Sequence, residues 1–279
     1  MKTIKLTIGI LIISLISTGS LFAQNEVKEQ LVVPLSDPGK PGTLRAGLVN
    51  GSIHVTGHTG KDVIIDISAS GNSRRGRRDD SDDRPSNGMK RISPGNPFDV
   101  SAREKSNTIT IESNSINQTI DLNIKVPQNF SLRISTVNHG QITVDNVSGE
   151  LEVNNVNGSI ELTNVSGSAV ANTVNGGVLA TFKSVNAEAP MAFSTLNGNV
   201  DVTFPASSKM NLKLKSDRGD MFTDFDLDVD KTASKVNKSN QNGMYRVAIE
   251  EWVQGKVNGG GREIMMKNMN GNIYVRKAK

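Results

Sequence analysis

Residues Asn155–Leu179 read NVNGSIELTNVSGSAVANTVNGGVL, and in them a phrase of the form Val, then Asn or Ser, then Gly comes round three times. Working outward, Gly140, Gly149, Gly158, Gly167 and Gly176 stand nine residues apart, and the register continues through Ala187, Gly198, Ser208 and Gly219 at steps of 11, 11, 10 and 11. Two residues after these anchors stand Ile142, Leu151, Ile160, Ala169, Val178, Ala189, Val200, Met210 and Met221. Four after them stand Val144, Val153, Leu162, Ala171, Ala180, Met191, Val202, Leu212 and Thr223. Two before the glycines come Val147, Val156, Val165, Val174 and Leu196.

A strand of about five residues, at roughly 3.3 Å each, followed by a turn fills this spacing. Glycine suits turns that tolerate positive φ or that must lie close to one another. Asn138, Asn157, Asn175 and Asn197 occupy alternate turns, with Ser148 and Ser166 in the intervening ones. Two phrases therefore make one rung of 18 to 22 residues. Stacked rungs place Val on Val in a continuous interior and Asn near Asn in amide ladders at one corner. The competing arrangement is an antiparallel meander, which does not explain the alternation of Asn-Gly with Ser-Gly.

Away from the repeat the pattern is also β. SIHVTG, KDVIIDISAS, NTITIES, TIDLNIKVP and SLRIST alternate apolar with polar residues and are rich in Ile, Val and Thr. No segment shows a convincing amphipathic helix. YRVAIEEWVQG comes nearest, and it also fits a strand with Val247 and Ile249 on one face. The expected fold is all-β, a single-domain β-solenoid-like stack of short strands over 44–279.

Residues 1–23 have the order of a secretory signal: Lys2 and Lys5, an apolar core from Leu6 to about Ser17, a polar break, and Ala23 before Gln24. That core is shorter than the roughly twenty residues of a membrane span. Cleavage after Ala23 and no transmembrane span in the mature chain are expected; an uncleaved anchor is the alternative, because Leu21 is large for its place before the cut. Losing Lys2 and Lys5 takes the formal charge of +4 to about +2, too little to argue for nucleic acid. The chain has no cysteine, so packing and hydrogen bonds alone must hold it. Residues 24–43, with Pro34, Pro38 and Pro41, read as a linker, and the Arg- and Asp-rich stretch 71–97 reads as a mobile insertion whose opposite charges satisfy each other, the alternative being that its basic half touches anionic lipid or glycan.

The segments LVNGSIHVTG, IDLNIKVPQNFSLRISTVNHGQITVDNVSGELEVNNVNGSIELTNVSGSAVANTVNGGVLATF and NMNGNIYVRK resemble the exported bacterial β-strand-repeat domains of unknown function known as "putative adhesins". The resemblance covers roughly Leu44 to Lys279 and implies a toast-rack-like stack of short strands in the cell envelope. The charged insertion and the extra His139 of VNHGQI depart from the family pattern, so neither inherits a role.

Groups for chemistry are sparse. His54, His58 and His139 are the only histidines, and two imidazoles near one turn without a third ligand do not make a zinc site. His139 is expected to tolerate an unusual backbone angle beside Gly140. No Gly-x-Ser-x-Gly elbow is present. In DFDLDVD, Asp224, Asp226, Asp228 and Asp230 alternate with apolar residues, as on the wet face of a strand. Same-face neighbours lie roughly 6.6 Å apart, too far to converge on one calcium ion. Arg218-Gly219-Asp220 matches an integrin-binding tripeptide, a sequence short enough to arise by chance. One Trp and two Tyr are few for the aromatic platforms of a lyase or lectin.

No catalytic, cofactor-binding or metal residue is therefore assigned. The expected function is that of a non-catalytic exported cell-envelope module, a "putative adhesin" or binding scaffold in the periplasm or at the cell surface. Its partner would be an envelope protein, a glycan or a second copy. A regulatory domain sensing envelope stress is the alternative, and a carbohydrate-active β-helix enzyme is less favoured.

Overall fold

The computed structural model describes residues 26–70, 99–115, 118–186, 188–230, 235–241, 244–250 and 252–279. The leader and the charged insertion lie outside them. The described residues form strands and turns with no helix.

The first strands are β1 (Glu26–Pro34), β2 (Gly42–Asn50), β3 (Ile53–His58), β4 (Asp62–Ser70), β5 (Val100–Lys105), β6 (Thr108–Ser113) and β7 (Thr119–Pro127). The repeat supplies β8 (Phe130–Asn138), β9 (Ile142–Asp145), β10 (Ser148–Asn155), β11 (Ile160–Asn175), β12 (Val178–Val185), β13 (Met191–Asn197) and β14 (Val200–Phe204). β15 (Met210–Arg218), β16 (Met221–Thr223), β17 (Leu227–Asp230), β18 (Lys235–Gln241), β19 (Met244–Glu250), β20 (Val253–Val257), β21 (Arg262–Asn270) and β22 (Ile273–Lys277) complete the chain.

Apart from β18 and β19, which pair antiparallel with each other as a separate hairpin, pairing resolves these strands into two ladders. One runs β1–β4–β7–β3–β9–β11–β12–β14–β22–β16, and the other β5–β6–β2–β8–β10–β11–β13–β21–β15–β20–β17. β11 belongs to both, its first residues pairing with β9 and its last with β10 and β13. The central pairings are parallel, which excludes the meander. Ile160 lies beside Ile142 and Val178, and Val178 beside Val200, so the rungs are 18 to 22 residues as the glycine spacing requires.

Alternation sends one face of each ladder inward. Ile142, Leu151, Ile160, Ala169, Val178, Val200 and Met210 are all buried, as are Val144, Val153, Leu162, Ala171, Ala180, Met191, Val202 and Leu212. Both sets belong to one contiguous core.

The two corners between the ladders differ, and the difference corrects the expectation for the residue two before each glycine. At the Ser-Gly corner Val147 and Val165 are buried. Asn146 and Asn164 there adopt φ of 58° and 54°, the left-handed turn that Asn accepts most readily after Gly, and this swings the following Val inward. At the Asn-Gly corner Val156, Val174 and Leu196 are instead 37%, 38% and 42% exposed. The strand runs straight to the turn, so the alternation that buries Thr173 and Thr195 puts Val174 and Leu196 outside.

That corner contains the expected amide ladder. The Asn157 amide donates to Asn138 Oδ1 at 2.9 Å, Asn175 to Asn157 at 2.8 Å, Asn197 to Asn175 at 2.8 Å and Asn270 to Asn197 at 2.7 Å. A second column, buried, was not legible in the glycine alignment. Thr136, Asn155, Thr173, Thr195 and Asn268 each donate a side-chain hydrogen bond to a glycine carbonyl of the adjoining rung, at 2.6–3.1 Å. These bonds satisfy donors that would otherwise be costly to bury, while Asn155 Oδ1 has no partner among the described residues.

The glycines leave room for this stacking. A Cβ on Gly158 would sit 1.9 Å from the Gly140 carbonyl oxygen, and one on Gly176 would sit 2.4 Å from that of Gly158. Close approach, rather than a positive φ, is what Gly158 requires, since only Gly176 of this pair has φ in the left-handed range, at 152°. His139 does have φ 57°. It is an extra turn residue: Asn138 to Ile142 takes four steps where Asn157 to Ile160 takes three, although both pairs align in the ladders.

At its ends the molecule departs from the sequential stack. The rung β2–β3 lies between β6–β7 and β8–β9. The rung β21–β22 lies between β13–β14 and β15–β16. Gly219 therefore stacks on Gly271 and not on Gly198, contrary to the simple glycine count. Glu26–Pro34, expected within a linker, pairs along its length with β4, and Leu31 and Val33 pack against the core. Its charges and terminal proline are features of an edge strand.

Candidate functional site

On the outer face of the second ladder, β2, β8, β10 and β11 form the floor of an open groove of about 420 Å³, with Ala189 and Pro190 along one side. Alternation dictates its lining. Arg45, Arg133 and Glu152 point outward because Leu44, Leu132, Leu151 and Val153 point in. Parallel register places Arg45 beside Arg133 and Arg133 beside Glu152. The column thus carries two positive charges followed by a negative one.

Arg133 Nε lies 3.6 Å from Glu152 Oε2, both side chains being more than half exposed. Such a pair is weak and leaves donors free to turn to a ligand. Thr43, Ser131 and Ser168 add hydroxyls, and Ser131 Oγ accepts a hydrogen bond from the Glu150 amide at 3.2 Å. The groove offers a planar guanidinium fork, carboxylates and hydroxyls over a half-polar floor. Such an inventory can offer hydrogen bonds and paired charges to a polar ligand. No histidine lines it.

The structure separates the groups singled out in the sequence. His54 hydrogen-bonds Thr143 of the neighbouring strand β9, both on the ladder away from the groove. His58 Nε2 meets the Asp62 carbonyl at 2.9 Å, while its Nδ1 accepts from Gly60 N–H at 3.1 Å. His139 Nδ1 lies 3.4 Å from Asn50 Oδ1. Among the described residues no three His, Asp or Glu side chains gather as a metal site.

Of DFDLDVD only Leu227–Asp230 is a strand. Asp224 Oδ1 accepts from Lys277 N–H at 2.6 Å, and Phe225 is buried. Arg218-Gly219-Asp220 forms the exposed turn of the outermost rung, with Asp220 N–H donating to Asn272 Oδ1 at 2.9 Å. Glu150 and Glu152 line the groove, whereas Glu161 is exposed on the opposite ladder. Arg45 and Arg133 were missed in the sequence because 88 residues separate them and only the register joins them.

Among the described residues, two groups have displaced ionisation. Ser36 Oγ donates to both Glu104 carboxylate oxygens at 2.7 and 2.8 Å, and with the Asn107 and Ser36 amides it holds that carboxyl below its ordinary range. Arg276 is held above its ordinary value by its double hydrogen bond to Asp201, at 2.7 and 2.8 Å. The Arg276 guanidinium also lies 4.9 Å from the Tyr274 ring, which stacks on Phe222. Both groups tie distant segments together, which is a structural duty.

A stack of short parallel rungs with a polar groove on one face defines a β-repeat scaffold of the toast-rack type. The chain belongs to the Toastrack DUF4097 family, whose model matches residues 50–258. No curated protein matches it. Of solved structures, a "putative cell adhesion protein" from Clostridium sporogenes is 12% identical, with a TM-score of 0.47 and coverage of 91% of this chain and 100% of that one. A "putative adhesin" from Bacteroides fragilis is also 12% identical, with a TM-score of 0.38 and coverage of 92% and 98%.

Proposed function

We propose that the protein is a non-catalytic, exported cell-envelope module that holds a polar partner, an envelope protein or a glycan, in the groove of Arg45, Arg133, Glu150 and Glu152. The groove carries this reading: in it, charges of both signs and hydroxyls from four strands face one open channel. Family membership and the leader-like order of residues 1–23 support placement in the envelope. No helix among the described residues is long and apolar enough to cross a membrane. The hydrogen bonds that occupy each histidine separately, away from the groove, support a binding role over proton transfer.

Pull-down from the native envelope tests this reading. Glu150→Lys with Glu152→Lys should abolish capture of the partner, while His54→Ala, His58→Ala and His139→Ala together should leave capture intact. Polysaccharide cleavage that vanishes with the histidine triple, with unchanged behaviour of the glutamate pair, would replace binding with catalysis. Mass spectrometry of the native protein should place its N-terminus at Gln24; Met1 intact in a membrane fraction would make it an anchored protein.

A further inference from the structure

We infer that the Asn-Gly corner is a self-association surface, on which a second copy of the chain packs antiparallel against a stripe of outward-facing apolar side chains. The stripe consists of Val49, Val137, Val156, Val174, Leu196 and Met269, each 37–42% exposed. The six lie on adjacent rungs. Leu48 pairs with Thr136 and Asn50 with Asn138 on either side of Val49 and Val137. Val156 N–H donates to Thr136 O, and Asn175 N–H to Val156 O. Thr173 and Asn175 pair with Thr195 and Asn197, which pair in turn with Asn268 and Asn270. The result is one apolar side chain at every strand spacing, about 4.8 Å, over six rungs.

The flanks are as regular as the stripe. On one side the outward column is Gly47, Ser135, Asn154, Asn172 and Ser194; on the other is the Asn ladder. The chain is 22% charged, yet across these three columns no charge falls on the five rungs from β2 to β13. Charges return at Lys267, and Asp217 and Arg218 close the stripe on the outermost rung. Contiguous exposed apolar surface of this kind marks an interaction site.

Three arguments select a second copy as the occupant. The first is periodicity: a row of β-branched and Leu side chains at strand spacing is filled best by side chains at the same spacing, as when paired sheets interdigitate. A second stripe supplies that spacing, and antiparallel pairing about a two-fold axis between Val156 and Val174 overlaps all six positions.

The second argument is solvation. The ladder amides already hydrogen-bond one another, so covering them leaves few polar groups unsatisfied, and no charge must be buried. The third is area. A strip about 24 Å long and three columns wide covers roughly 500 Å² on each copy, or about 1,000 Å² in total, the lower bound for a specific association. The dimer is therefore weak and concentration-dependent. This goes beyond the groove reading, because the stripe and the groove are separate columns of the same ladder and self-association needs no envelope partner.

Sedimentation of the purified chain should show a concentration-dependent monomer–dimer equilibrium, weak as associations at the low end of interface size are. Val156→Lys with Val174→Lys should weaken it at least tenfold while leaving the melting temperature within about 2 °C, since both positions are exposed. The native chain has no cysteine, so oxidation of a Val156→Cys variant mixed with a Val174→Cys variant should give a crosslinked dimer, and Leu179→Cys, 44% exposed on the other ladder, should not. Glu150→Lys with Glu152→Lys should leave the dimer unchanged, which separates this surface from the groove. A chain that stays monomeric to about 1 mM, a dimer indifferent to the lysine pair, or equal crosslinking through Leu179→Cys each overturns the inference.

Discussion

Between β8 and β14 the rungs follow one another in space as they do along the chain; at the two ends they do not. The middle is a local structure in which paired positions of successive rungs lie 18 to 22 residues apart and belong to the same phrase. At the ends, β21–β22 enters between rungs more than 50 residues earlier in the chain, and β2–β3 enters next to β8–β9, nearly 90 residues later. The outermost rungs of a stack have one open side. Antiparallel strands close most of those sides: β5 on β6, β4 and β1 beyond β7, β20 and β17 beyond β15.

Phrase composition follows position in space. NMNG of β21, near the end of the chain, keeps Met269 in the stripe and Asn270 in the ladder because it is an internal rung. SDRG of β15 is outermost, and there Asp217 stands in the stripe position and Arg218 in the ladder position. Charge at an open end discourages further stacking.

The sharpest way to break this contrast is to delete 262–279. Loss of Ile264, Met266, Ile273 and Val275 removes four buried side chains from between two rungs. Amides of β15 and β16 should lose hydrogen-exchange protection by several orders of magnitude, while those of β9 to β12 stay protected; uniform loss would mean that the stack folds as one unit.

Next in size is Gly158→Val in the middle. The new side chain meets the Gly140 carbonyl at 1.9 Å and the Asn155 amide nitrogen at 2.8 Å, and no end is near to yield. A cost of about 2–3 kcal/mol follows from such overpacking, seen as a melting temperature lower by roughly 5–10 °C. Gly39→Ala near the N-terminal end meets nothing within 4 Å and pays only for φ of 95°, about 1 kcal/mol. Equal losses for the two would remove close approach as the reason for glycine at the corner.

Smaller again is the ladder. Asn175→Ala removes two amide bonds of 2.8 Å, whereas Asn270→Ala removes one of 2.7 Å and a long contact of 3.5 Å from Arg218. Thermal or chemical denaturation should show a cost of about 1 kcal/mol for the first and less for the second, the bonds being exposed to water.

The smallest effect concerns Glu104, which clasps Ser36 and Asn107 at the N-terminal end. Its carboxyl is held below the ordinary value of 4.5 in the folded chain, so its stabilisation is present above that value and is lost as pH falls through the folded one. The melting temperature of Glu104→Gln should lie slightly below that of the native chain at pH 7 and converge with it once the pH has fallen through the folded value. A gap that persists in acid would assign the loss to packing.

The sequence by itself determined the β class, the rung of two phrases, most of the core and the Asn ladder. Each of these is periodic: alternation selects the buried face within a strand, and glycine recurs wherever one turn backs on the next. Only the tertiary structure decided the rest. The Val before Ser-Gly turns inward and the Val before Asn-Gly outward because a left-handed Asn bends one corner, a backbone angle that the shared phrase does not display. Arg45 and Arg133 become neighbours, and NMNG becomes an internal rung, through pairings between segments remote in the chain. Local pattern specifies which face a residue presents, while the order in which rungs stack is set by backbone pairing between segments far apart in the chain, which no local period encodes.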